Sequence, residues 1–386
     1  MNSSNEDNVI LVFEPACDAH WMKDVVQFPN ALAQELYNKN AILIARPNHK
    51  QTGLAKRIEL KLYSDPLIEN YEHFESVNFS KIITDSQWYL NACRKAAALG
   101  STLILYPFYG DAFKGSKYFK IKRWLQFRKA FVIIKSDGTL QRMSTRKASV
   151  KQRMRDRLKY FFIDKIICEN SQVAKDLRIN NSHLSSKLLF LPNCPLDMYH
   201  SVKNIPYAER PNKFLFVGRV DDVDKGADIL LEAWIKVAPQ IPGWQLEIAG
   251  PCSANLKKEW EVKLANFKLL HTVQWIGAKN PGDLICHYQS SKIVICPSRK
   301  ESGPIILSEA ILCGCSFIGT AVGEIPEVLK GLPGLVKEED TLEKQILFFA
   351  QHPEIAARQA ETLFERMKDR KWSEQVAKQF KSLRTV

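Results

Sequence analysis

Short apolar segments alternate with amphipathic segments along most of this sequence, and the alternation occurs twice. In the first half, strand-like runs such as 9–13 and 102–106 alternate with helix-like stretches. After a stretch rich in Pro and Asn, the pattern starts again at residue 213. Because strands that alternate with helices are typical of βαβ units, each half predicts a parallel sheet with helices on both faces. A chain of 386 residues also exceeds one ordinary domain. We therefore predict an α/β protein of two domains.

The boundaries of the elements follow from apolar runs and from the Gly, Pro, Asn and Ser residues that punctuate them. In the first half the predicted strands are 9–13, 41–45, 102–106, 130–134, 164–168 and 188–191, and the helices are 30–37, 86–98 and 171–177, the last with Ser171 as N-cap. In the second half the strands are 213–217, 245–249, 273–276, 292–296 and 316–319, and the helices are 227–237, 304–313 and most of 342–383. The domains are predicted as 1–192, a linker 193–211, 212–368, and a C-terminal helix 369–386 that returns to the first domain.

Several classes of protein are disfavoured by the sequence. No apolar run approaches the roughly 18 residues of a membrane-spanning helix, and no basic segment precedes the first apolar run, so no secretory signal is predicted. The nine cysteines are scattered and lack a CxxC pair, which favours reduced thiols and a cytoplasmic location. The eight histidines form no cluster with metal-ligand spacing, so no metal site is predicted.

The segment CPSRKESGPIILSEAILCG, from Cys296 to Gly314, is the most informative for function. A buried strand ends there, and after a polar loop a helix is predicted to begin at Pro304. The free N–H groups and the dipole at such a helix start attract anions. Glu301 precedes the helix and Glu309 lies inside it, so both acids could be exposed helix charges. Alternatively, they flank an anion pocket that would suit a nucleoside diphosphate sugar, with the sugar near Glu301 and the ribose near Glu309.

A second segment, FVGRVDDVDKGADILLEAW, places two cations after the first strand of the second half. Arg219 and Lys225 could neutralise a leaving diphosphate through charge-assisted hydrogen bonds. They could instead pair with the acids of the same loop, Asp221, Asp222 and Asp224, in surface ion pairs that contribute little. Asp222 and Asp224 also form a D-x-D triplet, a short and common pattern that we interpret as part of this loop.

Five motifs occur in a characteristic order: GR…DKG…LLEAW, P…LEIAGP, V.WIGA, PSRKESGPIILSEAILCG and VGEIPEVL. Together they resemble the retaining glycosyltransferases of family four, which have the GT-B fold, and Glu301 to Glu309 matches the E-x7-E element of that family. The resemblance covers residues 213–329, and the upstream stretches DKIICENSQVAKDL and FLPNCPLDMY are also similar. It implies two Rossmann-like domains facing a cleft, with the acceptor bound by the first and the nucleotide-sugar donor by the second.

The resemblance also implies roles for individual residues. Arg219 and Lys225 would bind the donor diphosphate, Glu301 the transferred sugar and Glu309 the ribose, and residues 277–279 would lie near the base. The implied donor-binding residues are Gly218, Arg219, Lys225, Gly277, Ala278, Glu301, Ser302, Gly303, Pro304, Ile305, Ile306 and Glu309. The implied reaction moves a sugar from a UDP- or GDP-sugar to a hydroxyl of a glycan or lipid-linked acceptor, without a cofactor, in bacterial-type surface polysaccharide or glycolipid synthesis.

The first domain departs from the pattern of the family. Many members carry a glycine-rich loop after the first strand, where this chain has EPACDAHWMKD. Many also carry a histidine after a middle strand, where this chain has Lys135, Ser136 and Asp137. Asp137 is one candidate to replace that histidine, and His20 in the first loop is the other. A solvated loop residue is the alternative for both.

The net charge of +13 is concentrated in part between Arg142 and Lys159, where eight basic residues accompany one acid. The members that we single out are Arg146, Lys147, Lys151, Arg153, Arg155, Arg157 and Lys159. Such a run near aromatic residues can lie on an anionic membrane, which suits a protein peripheral to the inner face of the cell membrane, or it can be a solvated basic face. A GT-B epimerase or hydrolase of sugar nucleotides is an alternative function, and a nucleic-acid binder is another.

Overall fold

The computed structural model describes residues 9–12, 24–38, 41–45, 59–62, 102–105, 131–135, 144–160, 163–337 and 341–380. The chain divides into two compact units, of which unit 1 comprises residues 1–192 and 372–386 and unit 2 comprises 193–371. The chain therefore leaves unit 1 after residue 192 and re-enters it after residue 371. The predicted helix at 86–98 lies outside the described residues.

Unit 1 is built on a parallel sheet with the strand order β3-β2-β1-β4-β5-β6-β7. Its strands are β1 (Val9–Val12), β2 (Ile42–Ala45), β3 (Glu59–Leu62), β4 (Thr102–Leu105), β5 (Phe131–Lys135), β6 (Lys165–Cys168) and β7 (Leu188–Phe190). The six predicted strands of this half are confirmed to within one residue at each end, whereas β3 was not predicted. Its charged residues Glu59 and Lys61 give it a weak apolar signal.

The described helices of unit 1 are α1 (Asp24–Tyr37), α2 (Val150–Lys159), α3 (Ser171–Asn180) and, numbered in chain order, α11 (Trp372–Phe380). The ring of Phe28 on α1 lies 6.0 Å from that of Trp372 and 6.2 Å from that of Phe380, so α11 packs on α1. The prediction of Ser171 as N-cap was wrong by one residue. Asn170 caps α3, because its side-chain oxygen accepts the Val173 N–H at 2.9 Å.

Unit 2 is built on a second parallel sheet, with the order β10-β9-β8-β11-β12-β13. Its strands are β8 (Lys213–Val217), β9 (Gln245–Ala249), β10 (Val273–Gly277), β11 (Ile293–Cys296), β12 (Ser316–Thr320) and β13 (Leu335–Val336). Its helices are α4 (Ala227–Val237), α5 (Ala254–Asn266), α6 (Pro281–Gln289), α7 (Ile305–Leu312), α8 (Ile325–Val328), α9 (Leu342–Gln351) and α10 (Pro353–Met367). The predicted bounds of β8, α4 and β9 are confirmed.

Successive residues of the central strands of unit 2 pack into different cores, as the two-residue period of a strand requires. Phe214 and Phe216 of β8 join one apolar cluster together with residues of α4, α5 and α9. Leu215, which lies between them, joins a second cluster with residues of α6, α7 and α10. All three side chains are at most 1% exposed. Helices therefore cover both faces of this sheet, which leaves its strand ends as the places where a ligand can enter.

Residues 193–211, assigned to a linker from their composition, belong to unit 2. The guanidinium group of Arg210, 3% exposed, reaches from this segment to three backbone carbonyls. It donates to Ile205 O at 3.0 Å, to Ser291 O at 3.1 Å and to Cys313 O at 2.8 Å. A buried guanidinium needs such acceptors, and the carbonyls need its donors.

Arg210→Met is expected to lower the free energy of unfolding by roughly 3 kcal/mol, because a partly buried or buried carbonyl that loses its donor costs about 1–3 kcal/mol. Urea denaturation measures this loss. The matched control is Arg358→Met, which removes an exposed guanidinium from α10 and is expected to change stability by less than about 0.5 kcal/mol. Equal effects of the two substitutions would contradict the role given to Arg210.

Candidate functional site

The strand order of unit 2 creates a crevice at one edge of its sheet. From β8 the chain proceeds outward to β9 and β10, and from β11 it proceeds in the opposite direction to β12 and β13. β8 and β11 are neighbours, so the loops that follow them lie side by side at the point where the strand order reverses. In open α/β sheets this switch point is where ligands bind. The predicted site residues are concentrated in these two loops, 218–226 and 297–304.

An ion pair joins the two loops. Lys225 Nζ lies 2.7 Å from Glu301 Oε1, with the two side chains 28% and 10% exposed. The hydroxyl of Ser298 donates to the same oxygen at 2.8 Å. A carboxylate held by a cation and a hydroxyl in a half-buried position has a fixed orientation. In the part of the chain that the structure describes, both of these contacts are to Oε1, and none is to the second oxygen, Oε2.

The backbones of the two loops are also in close contact. Gly226 follows Lys225 with φ +70°, and a Cβ atom at this position would lie 2.1 Å from the carbonyl oxygen of Pro297. The N–H of Arg299 donates to the carbonyl of Asp224 at 2.8 Å. Only glycine combines this φ with this approach at little cost. The sequence DKG therefore places Lys225 against the loop that carries Glu301.

The start of α7 lies directly after this loop. Pro304 is the N-cap, with ψ 118°, and the helix begins at Ile305, so the prediction of Pro304 as the first helical residue was wrong by one position. Because proline has no side-chain acceptor, the first N–H groups of α7 are not capped by it. The loop is held in place by Asn193, whose side-chain amide donates to Gly303 O at 2.9 Å.

Glycines align the other strand ends of this edge. Gly218 donates its N–H to Ala249 O and Gly250 donates to Gly277 O, both at 2.9 Å. A Cβ atom on Gly250 would lie 1.8 Å from Gly218 O. The structure thus brings Gly218 and Gly277 to the same edge as the ion pair, while Ala278, just beyond β10, is exposed.

The second predicted cation, Arg219, differs from Lys225. Its side chain is 65% exposed and pairs with Asp222, which is the alternative that the sequence left open. The hydrogen bond from Arg219 lowers the pKa of the Asp222 carboxyl, and the Asp222 side chain also accepts the N–H of Asp224 at 3.1 Å. The D-x-D acids are thus part of the loop between the cations, as we interpreted them. Because an exposed ion pair of this kind contributes little to stability, Arg219 can readily release Asp222 and bind another anion.

Glu309 is not an exposed helix charge. It is 7% exposed, and its Oε2 accepts the hydroxyl of Tyr288 at 2.9 Å. Burial raises the pKa of this carboxyl to about 7. A contact with a ribose would therefore require this face of α7 to open, and the predicted ribose role of Glu309 stays a prediction.

Some of the predicted residues cannot be placed relative to this cluster. His20 and Asp137 lie outside the described residues, as does Ser136. Within the described ranges, no group of three or more His, Cys, Asp or Glu side chains is placed to hold a metal ion. A cavity of about 510 Å³ lined by Pro326, residues 329–335, Lys337 and Gln345 shares no residue with the ion pair or its loops.

Three residues of the site were missed from the sequence: Ser298, Asn193 and Tyr288. Ser298 lies inside the segment that we singled out, three residues before Glu301. Its short polar side chain in that loop could have indicated a hydrogen bond to Glu301. Asn193 and Tyr288 are 110 and 21 residues from their partners in the chain. No local pattern could have paired them, because their contacts exist only in the folded unit.

Part of the sequence of this chain is similar to known proteins. Residues 200–366 match the family described as "Glycosyl transferases group 1". A D-inositol 3-phosphate glycosyltransferase of Corynebacterium diphtheriae is 26% identical over 153 residues, which are 38% of this chain and 36% of that protein. The chain thus spans about a third of the length of this curated relative.

Two solved structures resemble nearly the whole chain. The Anabaena protein HepE, crystallised in complex with UDP, has a TM-score of 0.70 at 12% identity over 98% of this chain and 100% of that one. The sucrose-phosphate synthase of Thermosynechococcus elongatus has a TM-score of 0.67 at 16% identity over 98% and 99%. The predicted α/β fold with parallel sheets is confirmed, and these two solved structures share it.

Gly226→Ala is expected to destabilise the chain more than Gly243→Ala. Both glycines have positive φ, +70° and +85°, and a side chain in that region costs about 1–2 kcal/mol. Only at Gly226 would the new Cβ atom meet backbone, whereas nothing lies within 4 Å at Gly243. The free energy of unfolding of both variants measures the difference. Equal losses would show that the two loops are not in the described contact.

The free energy of unfolding of Glu309→Gln is expected to increase relative to that of the parent protein as the pH rises, because the parent loses stability. The folded-state pKa of about 7 lies above the ordinary 4.5, so the folded chain holds the proton more tightly and loses stability as the pH rises through this window. The neutral amide avoids that loss, which we expect to be on the order of 2–3 kcal/mol between about pH 5 and pH 8.

Denaturation of both proteins across that pH range tests this expectation. Glu361→Gln, at an exposed position of α10, controls for the general effect of removing one negative charge. A stability difference between Glu309→Gln and the parent that stays constant with pH would mean that Glu309 is not buried as described.

Proposed function

We propose that this chain is a glycosyltransferase that moves a sugar from a nucleotide-diphosphate sugar to an acceptor hydroxyl and retains the anomeric configuration. The observation that carries the proposal is the Lys225–Glu301 pair at the sheet edge, beside the start of α7. The match of residues 200–366 to the group 1 glycosyl transferases supports it. The UDP complex of HepE supports a nucleotide-sugar donor, UDP- or GDP-linked.

The diphosphate would bind where positive charge converges. Lys225 supplies a cation that is 28% exposed, and the first N–H groups of α7 add donors and the positive end of the helix dipole. Arg219, which is exposed, would exchange Asp222 for a phosphate oxygen. Such groups stabilise the negative charge that develops on the leaving diphosphate in the transition state.

The transferred sugar would lie against Glu301. Ser298 and Lys225 both contact Oε1 of this residue, so Oε2 would accept hydrogen bonds from sugar hydroxyls. The N–H groups of residues 302–306 would contact the same sugar or the phosphates. Gly277 and Ala278, at the end of β10, would lie near the base, and Glu309 would meet the ribose after opening of its buried face.

The reaction would form a bond between the acceptor oxygen and the anomeric carbon while the bond from that carbon to the diphosphate oxygen breaks. In a retaining transfer the acceptor attacks from the face of the leaving group, so the departing diphosphate oxygen can take the proton of the acceptor hydroxyl. The residues of the chain would then act by binding and charge stabilisation. We propose a glycan or lipid-linked acceptor, as in surface polysaccharide or glycolipid synthesis, and no cofactor.

Lys225→Ala and Glu301→Gln are expected to lower kcat for transfer by about 10²–10³, because one charge stabiliser of this type contributes about 2.7–4 kcal/mol to the barrier. A panel of UDP-, GDP- and ADP-sugars in a thermal-shift assay first identifies the donor, since a ligand of the native state raises Tm. Transfer to an added acceptor is then measured for each variant, with and without EDTA.

The matched control is Lys236→Ala, which removes the same kind of side chain from an ion pair with Glu343 at 2.8 Å, on α4 and α9. It is expected to keep parental activity and donor binding. Parental activity in Lys225→Ala would refute the site. Consumption of the donor without any acceptor, at the rate seen with acceptor, would favour the epimerase or hydrolase instead.

A further inference from the structure

A cationic surface of unit 1 has no part in the proposed transfer. Six basic side chains at α2 and just before it are exposed: Arg146, Lys147, Lys151, Arg153, Arg155 and Arg157. Among the described residues, none of the six forms an ion pair with a carboxylate. The uncompensated charge of this surface indicates an anionic partner.

The acid of this segment faces the interior. Asp156 is 2% exposed, accepts the side-chain amide of Gln152 at 2.7 Å and contacts His183 Nε2 at 3.1 Å. The N–H of Ala148 donates to Asn180 O at 3.1 Å, which fixes the start of the segment to α3. These contacts hold α2 on unit 1 through its inner face, so its outer face keeps a constant orientation toward solvent.

Two aliphatic side chains lie in the middle of that outer face. Val150 is 73% exposed and Met154 is 63% exposed. At about 100° per residue, positions four apart lie within about 40° of each other on a helix. Arg153 and Arg157 therefore flank this apolar stripe on one side, and Lys151 and Arg155 flank it on the other.

We propose that this outer face of α2 binds an anionic lipid bilayer, with Val150 and Met154 inserted at the interface and the flanking cations against the headgroups. A helix of ten residues is about 15 Å long, so it would lie on the membrane and not cross it. Separately, no helix in the described part of the chain is long and apolar enough to span a bilayer.

The apolar stripe distinguishes a bilayer from a nucleic acid. Phosphates of RNA would be satisfied by the cations alone, and an aliphatic centre adds nothing to the contact with a charged backbone. An interfacial helix needs both components, because apolar burial and attraction to anionic lipid act together. The inference is independent of the transfer activity, since it concerns unit 1 alone.

Vesicle co-sedimentation of the full chain tests the proposal. The expected result is binding to vesicles of phosphatidylcholine and phosphatidylglycerol in equal parts, weakened by salt, with little binding to phosphatidylcholine alone. Lys151→Glu/Arg155→Glu is expected to weaken binding by about thirtyfold or more, because each cation near an anionic surface contributes roughly fivefold. Met154→Asp is expected to weaken it as well, with no cation removed.

The control is Val262→Asp together with Lys258→Glu on α5, where an aliphatic side chain that is 54% exposed lies next to an exposed lysine. It should leave vesicle binding unchanged, and all variants should keep the parental Tm, since the positions are exposed. Equal binding to both kinds of vesicle would overturn the proposal. The proposal would also be overturned if Met154→Asp bound vesicles as well as the parent does, and if the parent bound RNA in a way that Lys151→Glu/Arg155→Glu abolished.

Discussion

The ion pair between Lys225 and Glu301 is the interaction on which the candidate site depends, because it joins two loops that start from different strands. Lys225 owes its position to Gly226, whose missing Cβ lets the backbone approach Pro297. Glu301 is fixed in turn by the Ser298 hydroxyl, which donates to the same carboxylate oxygen. The ion pair, the Ser298 hydroxyl and the backbone contact thus hold Glu301 and Lys225 in fixed positions at the carboxyl edge of the sheet.

The rest of unit 2 makes this arrangement rigid. Two apolar clusters cover the faces of the sheet, so strands β8 and β11 deliver their loops to a constant place. Asn193 holds Gly303 O, and Arg370 donates to Asn193 O at 2.9 Å while pairing with Glu324. Asn193 and Arg370 lie at the two ends of unit 2, next to the residues where the chain enters and leaves it. Through them, both ends of unit 2 are linked by hydrogen bonds to the loop before α7.

Local pattern was sufficient to predict most strands and the two loops that hold the candidate site, because buried strands and glycine turns leave strong signals in sequence. α5 was missed, since it buries only Trp260 and Leu264 and so has a narrow apolar stripe. The N-cap of α3 is Asn170 and not the predicted Ser171. Both side chains are able to cap a helix, so only the backbone conformation determines which residue does so. The surroundings of Glu309 could not be predicted, because Tyr288 reaches it from α6 only in the folded unit. The segment 193–211 looks like a linker in composition, yet Arg210 anchors it through backbone carbonyls, which carry no sequence signal.

A crystal structure of the chain with a nucleoside diphosphate tests the central claim most directly. The account predicts that the diphosphate lies between the Lys225 ammonium group and the first N–H groups of α7, with the base toward the end of β10 and Glu301 next to the terminal phosphate. A diphosphate bound elsewhere, with the Lys225–Glu301 contact unchanged and no density at the start of α7, would contradict it.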